Sequence, residues 1–348
     1  MKNKFLLKKR NIRKQFEINI GIQLLRMICC LLVILTHFYA FYHFKFLLKE
    51  HHFYLMSFYF ISFYFSYKNL ASKNIAKIKE RLKRLLVPYI GWPLIFFIKT
   101  KLFNNTFEKR KKYNLKNFYY QILFGCGIYG IFWFLFNILF LSLFFTLIIF
   151  IFKKNFLYVL LIICISDYYW CYSGIAYNNF FSKFKKVPFH HSIAPIFYNF
   201  TIAFSGFYFA SINLLNIIYK RRIIYFALSC LFISIFLKYY YSFFKRIHFF
   251  YIEIINDIFI FFLFSFFSMI PFDKINNKNI KILLNKLSSY TGGVYYIHVK
   301  MGDFLRNYFY INRRNTFKGC LLIYLFSYLI CFLGTFILNK SFLKYLFI

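Results

Sequence analysis

The sequence predicts an all-α integral membrane protein with about ten transmembrane helices and with both termini in the cytoplasm. Of its 348 residues, 61% are hydrophobic and only 16% are charged, whereas soluble domains are about 45–50% apolar and about 25% charged. Long apolar stretches recur along the chain, and short polar segments separate them. Several of these segments are rich in lysine and arginine, which is typical of cytoplasmic loops.

The same composition excludes several other classes of protein. A soluble core of this size could not bury so much apolar surface, and the composition also differs from that of a disordered chain or a disulfide scaffold. The formal net charge of +37 would suggest a nucleic-acid partner in a soluble chain. Here Phe, Ile, Lys, Asn and Tyr are enriched together, as in an AT-rich coding sequence. We therefore expect no nucleic-acid partner, and we expect the basic loops to face anionic lipid or to attract an anionic cosubstrate.

The eight cysteines are scattered along the chain, and most of them lie inside apolar runs. They form no CxxC pair and no Cys/His spacing of the kind that zinc sites use. We expect them to be small buried hydrophobic residues, and we expect no metal site and no disulfide framework.

We predict three parts of the chain: a basic cytoplasmic tail at 1–17, a single polytopic membrane domain at 18–340 and a short tail at 341–348. The first apolar run is expected to be a retained helix rather than a signal peptide, because it is too long, contains Arg26 and lacks a cleavage site. The predicted spans are 18–41, 51–67, 85–98, 119–152, 155–171, 191–212, 223–241, 250–270, 288–306 and 319–338.

Two of the predicted spans are unusual. The third, 85–98, is short, and Pro88 and Pro93 are expected to break it. It precedes the strongly basic loop 99–117, which the ten-span count places outside the cell. Either a general lysine bias weakens the charge rule here, or the third segment does not cross. The stretch 119–152 is longer than one span, so its first part is expected to be a surface or re-entrant helix.

Two ionisable residues lie within the first predicted helix, Arg26 and His37. A charged residue at the centre of a membrane helix costs about 2.5–3.5 kcal/mol on insertion scales, so such residues are candidates for function. They are 11 positions apart in the sequence, which corresponds to about three helical turns and about 16 Å, so both point to one face. Alternatively, Arg26 snorkels to the cytoplasmic headgroups and His37 lies at the outer interface.

Five motifs in order give the sequence its resemblance to a known family. Gln23-Leu24-Leu25-Arg26, followed after ten residues by His37-Phe38, resembles the opening motif of the acyltransferase-3 family of membrane acyltransferases. The later matches lie at 58–66, 80–92, 130–135 and 293–298. Their motif residues are Ser62, then Arg81, Arg84, Pro88, Tyr89 and Trp92, then Trp133 and Phe134, then Gly293, Tyr295 and His298. The sequence departs from the family pattern at Phe63, where a glycine is usual, and at Ile131, where a polar ring is common.

The resemblance implies roles for the two residues of the first helix and for two arginines near the third. His37 is expected to act as the general base, because histidine has an ordinary pKa near about 6.5. An acyl-imidazole intermediate on His37 is a variant. Arg26 is expected to orient the acyl donor or to bind its phosphates. Arg81 and Arg84 are expected to bind coenzyme A phosphates at the cytoplasmic mouth, with plain topological anchoring as the alternative.

Four further residues are expected to line the cavity of such an enzyme: Ser62, Trp133, Tyr295 and His298. For Trp133, the alternative is a place in an interfacial aromatic belt. His298 could be a second acid/base group or only a hydrogen-bonding residue between helices; we favour the latter.

The sequence thus predicts a multi-pass acyltransferase of the cell membrane. It would move an acetyl or short acyl group from a coenzyme A thioester to a hydroxyl of a cell-surface polysaccharide or lipid-linked glycan. Acyl-CoA would be a cosubstrate, with no tightly bound cofactor. The alternatives are a transporter or flippase of a glycan or glycolipid, although no paired repeats support it, and a non-catalytic membrane scaffold in which Arg26 and His37 are dispensable.

Overall fold

The computed structural model describes residues 19–38, 53–103, 115–124, 132–172, 190–244, 249–270, 278–309, 317–338 and 341–347. Within these ranges the chain is helical and contains no strand. The helices in chain order are α1 (Ile20–Phe38), α2 (Phe53–Ala71), α3 (Ile75–Phe103), α4 (Leu115–Phe124), α5 (Phe132–Phe152), α6 (Phe156–Tyr172), α7 (His190–Ser211), α8 (Leu214–Lys220), α9 (Arg222–Phe244), α10 (Phe249–Met269), α11 (Lys278–Ser289), α12 (Thr291–Phe309) and α13 (Phe317–Ile337).

Helix α1 lies inside the bundle and packs against five other helices, α2, α10, α11, α12 and α13. Many of its apolar residues are accordingly buried, and Ile22, Cys29, Cys30 and Ile34 have no exposed surface. A polar residue on the buried side of this helix therefore points into the bundle interior. This position explains why Arg26, on the same helix, faces a cavity between helices.

Helices α2 and α7 form the most extensive helix pair in the described part of the fold. Their backbones approach closely at Gly206, where an added Cβ would lie 2.3 Å from the carbonyl oxygen of Phe60. Phe63, the residue at the usual glycine position of the family, is fully buried. Its ring centroid lies 4.8 Å from that of Phe145 on α5. Close packing of α2 therefore occurs at Gly206, and Phe63 fills space between α2 and α5.

Helix α3 is longer than the predicted third span. It runs without a break for 29 residues, and both Pro88 and Pro93 lie inside it, so the expectation that these prolines break the segment is wrong. A proline removes one backbone hydrogen bond and bends a helix, but membrane helices tolerate it where neighbouring groups pack around the site. At about 1.5 Å per residue the helix is about 43 Å long, which exceeds a hydrocarbon core of about 30 Å.

The membrane character of the fold is visible in its apolar exterior. Among the described residues, two helical stretches are long and apolar enough to cross a membrane, Trp133–Asp167 and Gly319–Ile337. A third would be the pair Asn199–Ser211 and Leu214–Lys220, which is bent by 64°. Large apolar side chains on α6 and α13 point outward; Ile162 is 63% exposed and Phe336 is 75% exposed. The number of ten spans and the cytoplasmic position of the termini stay predictions.

The segment 341–347, predicted as a short tail, is packed against the bundle. Ser341 caps a short 3-10 helix, Phe342–Leu346, by accepting a hydrogen bond from the Leu343 amide at 3.1 Å. The indole nitrogen of Trp92 on α3 donates to the carbonyl oxygen of Leu346 at 2.9 Å. A Cβ at Gly293 of α12 would lie 2.4 Å from the carbonyl oxygen of Phe347. The segment therefore bridges α3 and α12.

Candidate active site

A cavity of about 640 Å³ opens between α1, α2, α3, α5, α11 and α12. Its lining includes apolar residues: Phe58, Ile61, Phe65, Phe134, Leu135 and Ile138. It also includes polar and charged residues, among them Arg26, Ser62, Lys77, Glu80, Arg81, Arg84 and Thr291. The cavity thus offers both charged and apolar groups, as a site for a small molecule with both characters would.

Arg26 projects into the cavity from α1 and is held by neutral groups. Its Nη1 donates to the side-chain oxygen of Gln23, one helical turn earlier, at 3.2 Å. Its Nη2 donates to the hydroxyl of Thr291 at the start of α12, at 3.3 Å. Gln23 also accepts a hydrogen bond from the hydroxyl of Ser288. The guanidinium is thereby fixed between α1 and the junction of α11 with α12, while its positive charge is not neutralised by these partners.

Arg81 reaches the same cavity from α3 and is also held by neutral groups. Its Nη2 donates to the hydroxyl of Ser62 on α2 at 3.0 Å and to the hydroxyl of Ser142 on α5 at 3.1 Å. The guanidinium lies over the ring of Phe63, 5.4 Å from its centroid, which is a cation–π contact. Its buried Nε has no hydrogen-bond partner among the described residues.

Arg84 lies one turn further along α3, at the rim of the cavity. Its Nε and Nη2 both donate to Oε1 of Glu80 at 3.2 Å. The hydroxyl of Tyr345 donates to the same oxygen at 2.8 Å. The hydrogen bond from Tyr345 and the nearby Arg84 guanidinium lower the pKa of Glu80. Glu80 lies before the predicted third span. The side chain of Arg84 is 56% exposed, so this ion pair contributes little to stability.

The electrostatic balance of the cavity is strongly positive. Four of its lining residues are cationic, Arg26, Lys77, Arg81 and Arg84, and one is acidic, Glu80. Glu80 pairs with Arg84, and neither Arg26 nor Arg81 has a carboxylate partner in the part of the chain that the structure describes. A guanidinium surrounded by hydroxyl and amide oxygens keeps its attraction for anions. This arrangement is suited to bind phosphate or carboxylate groups.

The structure brings five of the sequence-predicted site residues to this one cavity: Arg26, Arg81, Arg84, Ser62 and Tyr295. Ser62 contributes through its hydrogen bond to Arg81. The ring of Tyr295 lies 5.0 Å from that of Phe134, centroid to centroid. Phe134 lines the cavity as well, so these two packed rings form part of its lining.

The other three predicted residues are placed differently. Trp133 is not among the cavity-lining residues and packs edge-on against Phe134, with ring centroids 6.2 Å apart. His298 is fully buried, and its Nδ1 lies 2.6 Å from the carbonyl oxygen of Tyr295. Since a carbonyl only accepts, Nδ1 carries the proton and donates it. His37 is part of helix α1, but its side chain lies outside the described residues.

Sequence reasoning did not assign a role to Gln23, Ser142, Thr291, Glu80 or Tyr345, all of which organise the site. Glu80 had a local signal, because a glutamate four residues before an arginine favours pairing on a helix. Tyr345 had none, because it is 265 positions from Glu80 in the sequence. Thr291 is equally far from Arg26. Contacts of this kind depend on how the helices assemble.

The fold and the cavity define a helical membrane protein with a cationic site between its helices. A family model described as an acyltransferase domain matches residues 19–340. The chain therefore belongs to the acyltransferase-3 family, whose members are membrane proteins, and this membership supports acyltransferase activity. Neither the curated proteins nor the solved structures contain a match to the chain.

Proposed function

We propose that the protein transfers an acetyl or short acyl group from a coenzyme A thioester to a hydroxyl of a cell-surface polysaccharide or lipid-linked glycan, in the cell membrane. Family membership supports the reaction class. The observation that supports the donor is the pair Arg26 and Arg81, two guanidinium groups that line one cavity and have only neutral hydrogen-bond partners among the described residues.

The donor would bind with its phosphates at the charged rim of the cavity, which is formed by Lys77, Arg81 and Arg84. Coenzyme A carries several phosphate groups, and Lys77, Arg81 and Arg84 line the rim from a single helix, α3. Arginine binds phosphate through hydrogen bonds from its guanidinium group, so Arg81 and the more exposed Arg84 would each contact a phosphate of the donor. Acyl-CoA would bind as a cosubstrate that enters and leaves, with no tightly bound cofactor.

The chemistry requires a base for the acceptor hydroxyl. The hydroxyl oxygen attacks the thioester carbonyl carbon, a C–O bond forms and the C–S bond breaks. His37 would take the hydroxyl proton and return it to the departing thiolate of coenzyme A. Arg26 would hold the donor so that its thioester points along α1 toward His37, 11 positions further on. The long pantetheine arm of coenzyme A is suited to span the about 16 Å between the two positions.

The transporter or flippase alternative uses the same cavity differently. A cationic cavity could hold the phosphate of a lipid-linked glycan without any bond being broken. The two functions therefore differ in whether an acyl group passes from coenzyme A to the glycan. A measurement of ligand binding alone does not separate them.

Binding of acetyl-CoA by purified, detergent-solubilised protein tests the donor. The Arg81→Ala variant should bind acetyl-CoA at least about tenfold more weakly, because the guanidinium that Ser62 and Ser142 hold in place, and with it one phosphate contact, is lost. Arg222→Ala is the matched control, because Arg222 is an exposed arginine outside the cavity. Equal acetyl-CoA affinities of the wild type and Arg81→Ala would show that Arg81 does not bind the donor.

A further inference from the structure

The short 3-10 segment Phe342–Leu346 touches the charged rim of the cavity through one side chain, Tyr345. Tyr345 donates its hydroxyl hydrogen bond to Oε1 of Glu80 at 2.8 Å. The segment itself is fixed from the other side, because Trp92 of α3 donates to the Leu346 carbonyl oxygen at 2.9 Å and Leu346 is only 5% exposed. Tyr345 is therefore presented to Glu80 from a packed support.

A single oxygen atom of Glu80 receives all three hydrogen bonds at the rim. Arg84 contributes two of them, from Nε and Nη2, and Tyr345 contributes the third. The side chains of Glu80 and Arg84 are 42% and 56% exposed, so the Arg84 bonds compete with water and are weak. The hydroxyl of Tyr345 is the contact that ties the carboxylate to a part of the protein other than α3.

Glu80 has the opposite charge to its neighbours and the same charge as the ligand. It is the acidic residue among the cavity-lining groups, beside Lys77, Arg81 and Arg84. An incoming phosphate must compete with this carboxylate for Arg84, and an untethered carboxylate could move toward the neighbouring cations and repel the phosphate. A carboxylate that is held by Tyr345 keeps its place when Arg84 turns to the ligand.

We infer that Tyr345 is a positioning residue for the acyl donor: it tethers Glu80 at the rim, so that Arg84 is oriented in the empty cavity and is free to bind a phosphate when the donor arrives. This inference rests on the proposed function, because it takes the anion to be the phosphate of an acyl-CoA. It assigns to the segment 341–347 a part in substrate recognition. Tyr345 acts only through Glu80, so its effect must disappear when Glu80 has no charge.

A double-mutant cycle measures this dependence. The Tyr345→Phe variant keeps the ring and removes only the hydroxyl. It should weaken acetyl-CoA binding about fivefold, which is within the range of an ordinary hydrogen bond at a partly exposed site, with kcat unchanged. Glu80→Gln should bind the donor as well as the wild type or better, because the competing charge is gone. Adding Tyr345→Phe to Glu80→Gln should then change the affinity by less than about twofold.

The matched control is Leu343→Ala, which alters an exposed side chain of the same segment and should leave the affinity unchanged. A fivefold weakening that persists in the Glu80→Gln background, or that Leu343→Ala reproduces, would show that the segment acts only through packing. An unchanged affinity in Tyr345→Phe would also overturn the inference. The proposed function fails separately, if the wild-type protein binds no acetyl-CoA.

Discussion

The guanidinium groups of Arg26 and Arg81 line the cavity and have only neutral hydrogen-bond partners among the described residues. Each guanidinium is held by hydroxyl or amide oxygens. Because these partners are neutral, the positive charge of each arginine contributes fully to the potential in the cavity. A carboxylate partner would make each arginine cheaper to bury and would also satisfy it, so that little attraction for a ligand would remain. Neutral partners orient the planar guanidinium group without cancelling its charge.

This explanation predicts that arginine at position 26 cannot be replaced by lysine. Arg26→Lys keeps the charge, but an ammonium cannot contact Gln23 and Thr291 at once in the planar arrangement that the structure shows. Acyl transfer by Arg26→Lys, measured in membranes with equal amounts of protein, should fall at least about tenfold. Activity equal to that of the wild type would show that position 26 needs only a positive charge.

The role of His37 predicts a different pattern, since it depends on proton transfer. His37→Gln keeps a hydrogen-bonding side chain but cannot take up a proton, so acyl transfer should fall by about 10²–10⁴. Donor binding should be unchanged, because the phosphates would bind at the rim formed by α3. Normal glycan modification by His37→Gln would contradict a base at this position.

At the level of the helices, the close contact of α2 with α7 depends on a missing side chain. An added Cβ at Gly206 would lie 2.3 Å from the rigid backbone oxygen of Phe60. At Gly91 an added Cβ would lie at a similar distance, 2.4 Å, from the flexible tip of the Leu346 side chain. The two glycines therefore form a matched pair for a test of packing.

Gly206→Ala should destabilise the protein by about 1–3 kcal/mol, because the two helices must separate. Gly91→Ala should cost less, since Leu346 can change its rotamer. The melting temperature of each purified variant in the same detergent measures the difference. A larger loss of stability in Gly91→Ala would contradict the packing described for α2 and α7.

For the whole molecule, the apolar runs in the sequence predict most helices well, because a membrane span needs a long apolar stretch whatever surrounds it. The predicted span 155–171 corresponds to α6, Phe156–Tyr172, and 223–241 lies within α9, Arg222–Phe244. The sequence misleads at α3, where composition locates the apolar part at 85–98 and the helix begins ten residues earlier, at Ile75. The basic residues that follow Ile75 already belong to the helix, and Pro88 and Pro93 do not end the helix.

The candidate site is predictable only in part. Arg26, Arg81 and Arg84 are recognisable because charges near apolar helices are costly and because they lie in stretches that resemble motifs of the family. Their partners Thr291 and Tyr345 are not recognisable in this way, because the pairing depends on tertiary assembly of distant helices. Nor does any local pattern distinguish Ser142 from Thr146, the other hydroxyl residue of α5.

The ten-span topology makes a direct prediction for the whole chain. Reporter fusions after residues 17, 75 and 345 should report the cytoplasm, and a fusion after residue 110 should report the outer side, since the intervening third span would cross. Helix α3 is long enough to do so. A cytoplasmic signal at residue 110 would show that this helix does not cross the membrane.

The measurement that tests the central claim most directly is acyl transfer by the purified protein in vesicles. Acetyl-CoA labelled in its acetyl group would be supplied on the side of the membrane that faces the basic first turns of α3. Membranes that contain the glycan acceptor would be added as well. The account predicts that label moves to the glycan, that one free coenzyme A thiol is released for each acetyl transferred, and that Arg81→Ala lowers both at least about tenfold under limiting donor. Transfer of a glycan lipid across the membrane, with the label still on coenzyme A, would contradict the account and would favour a transporter.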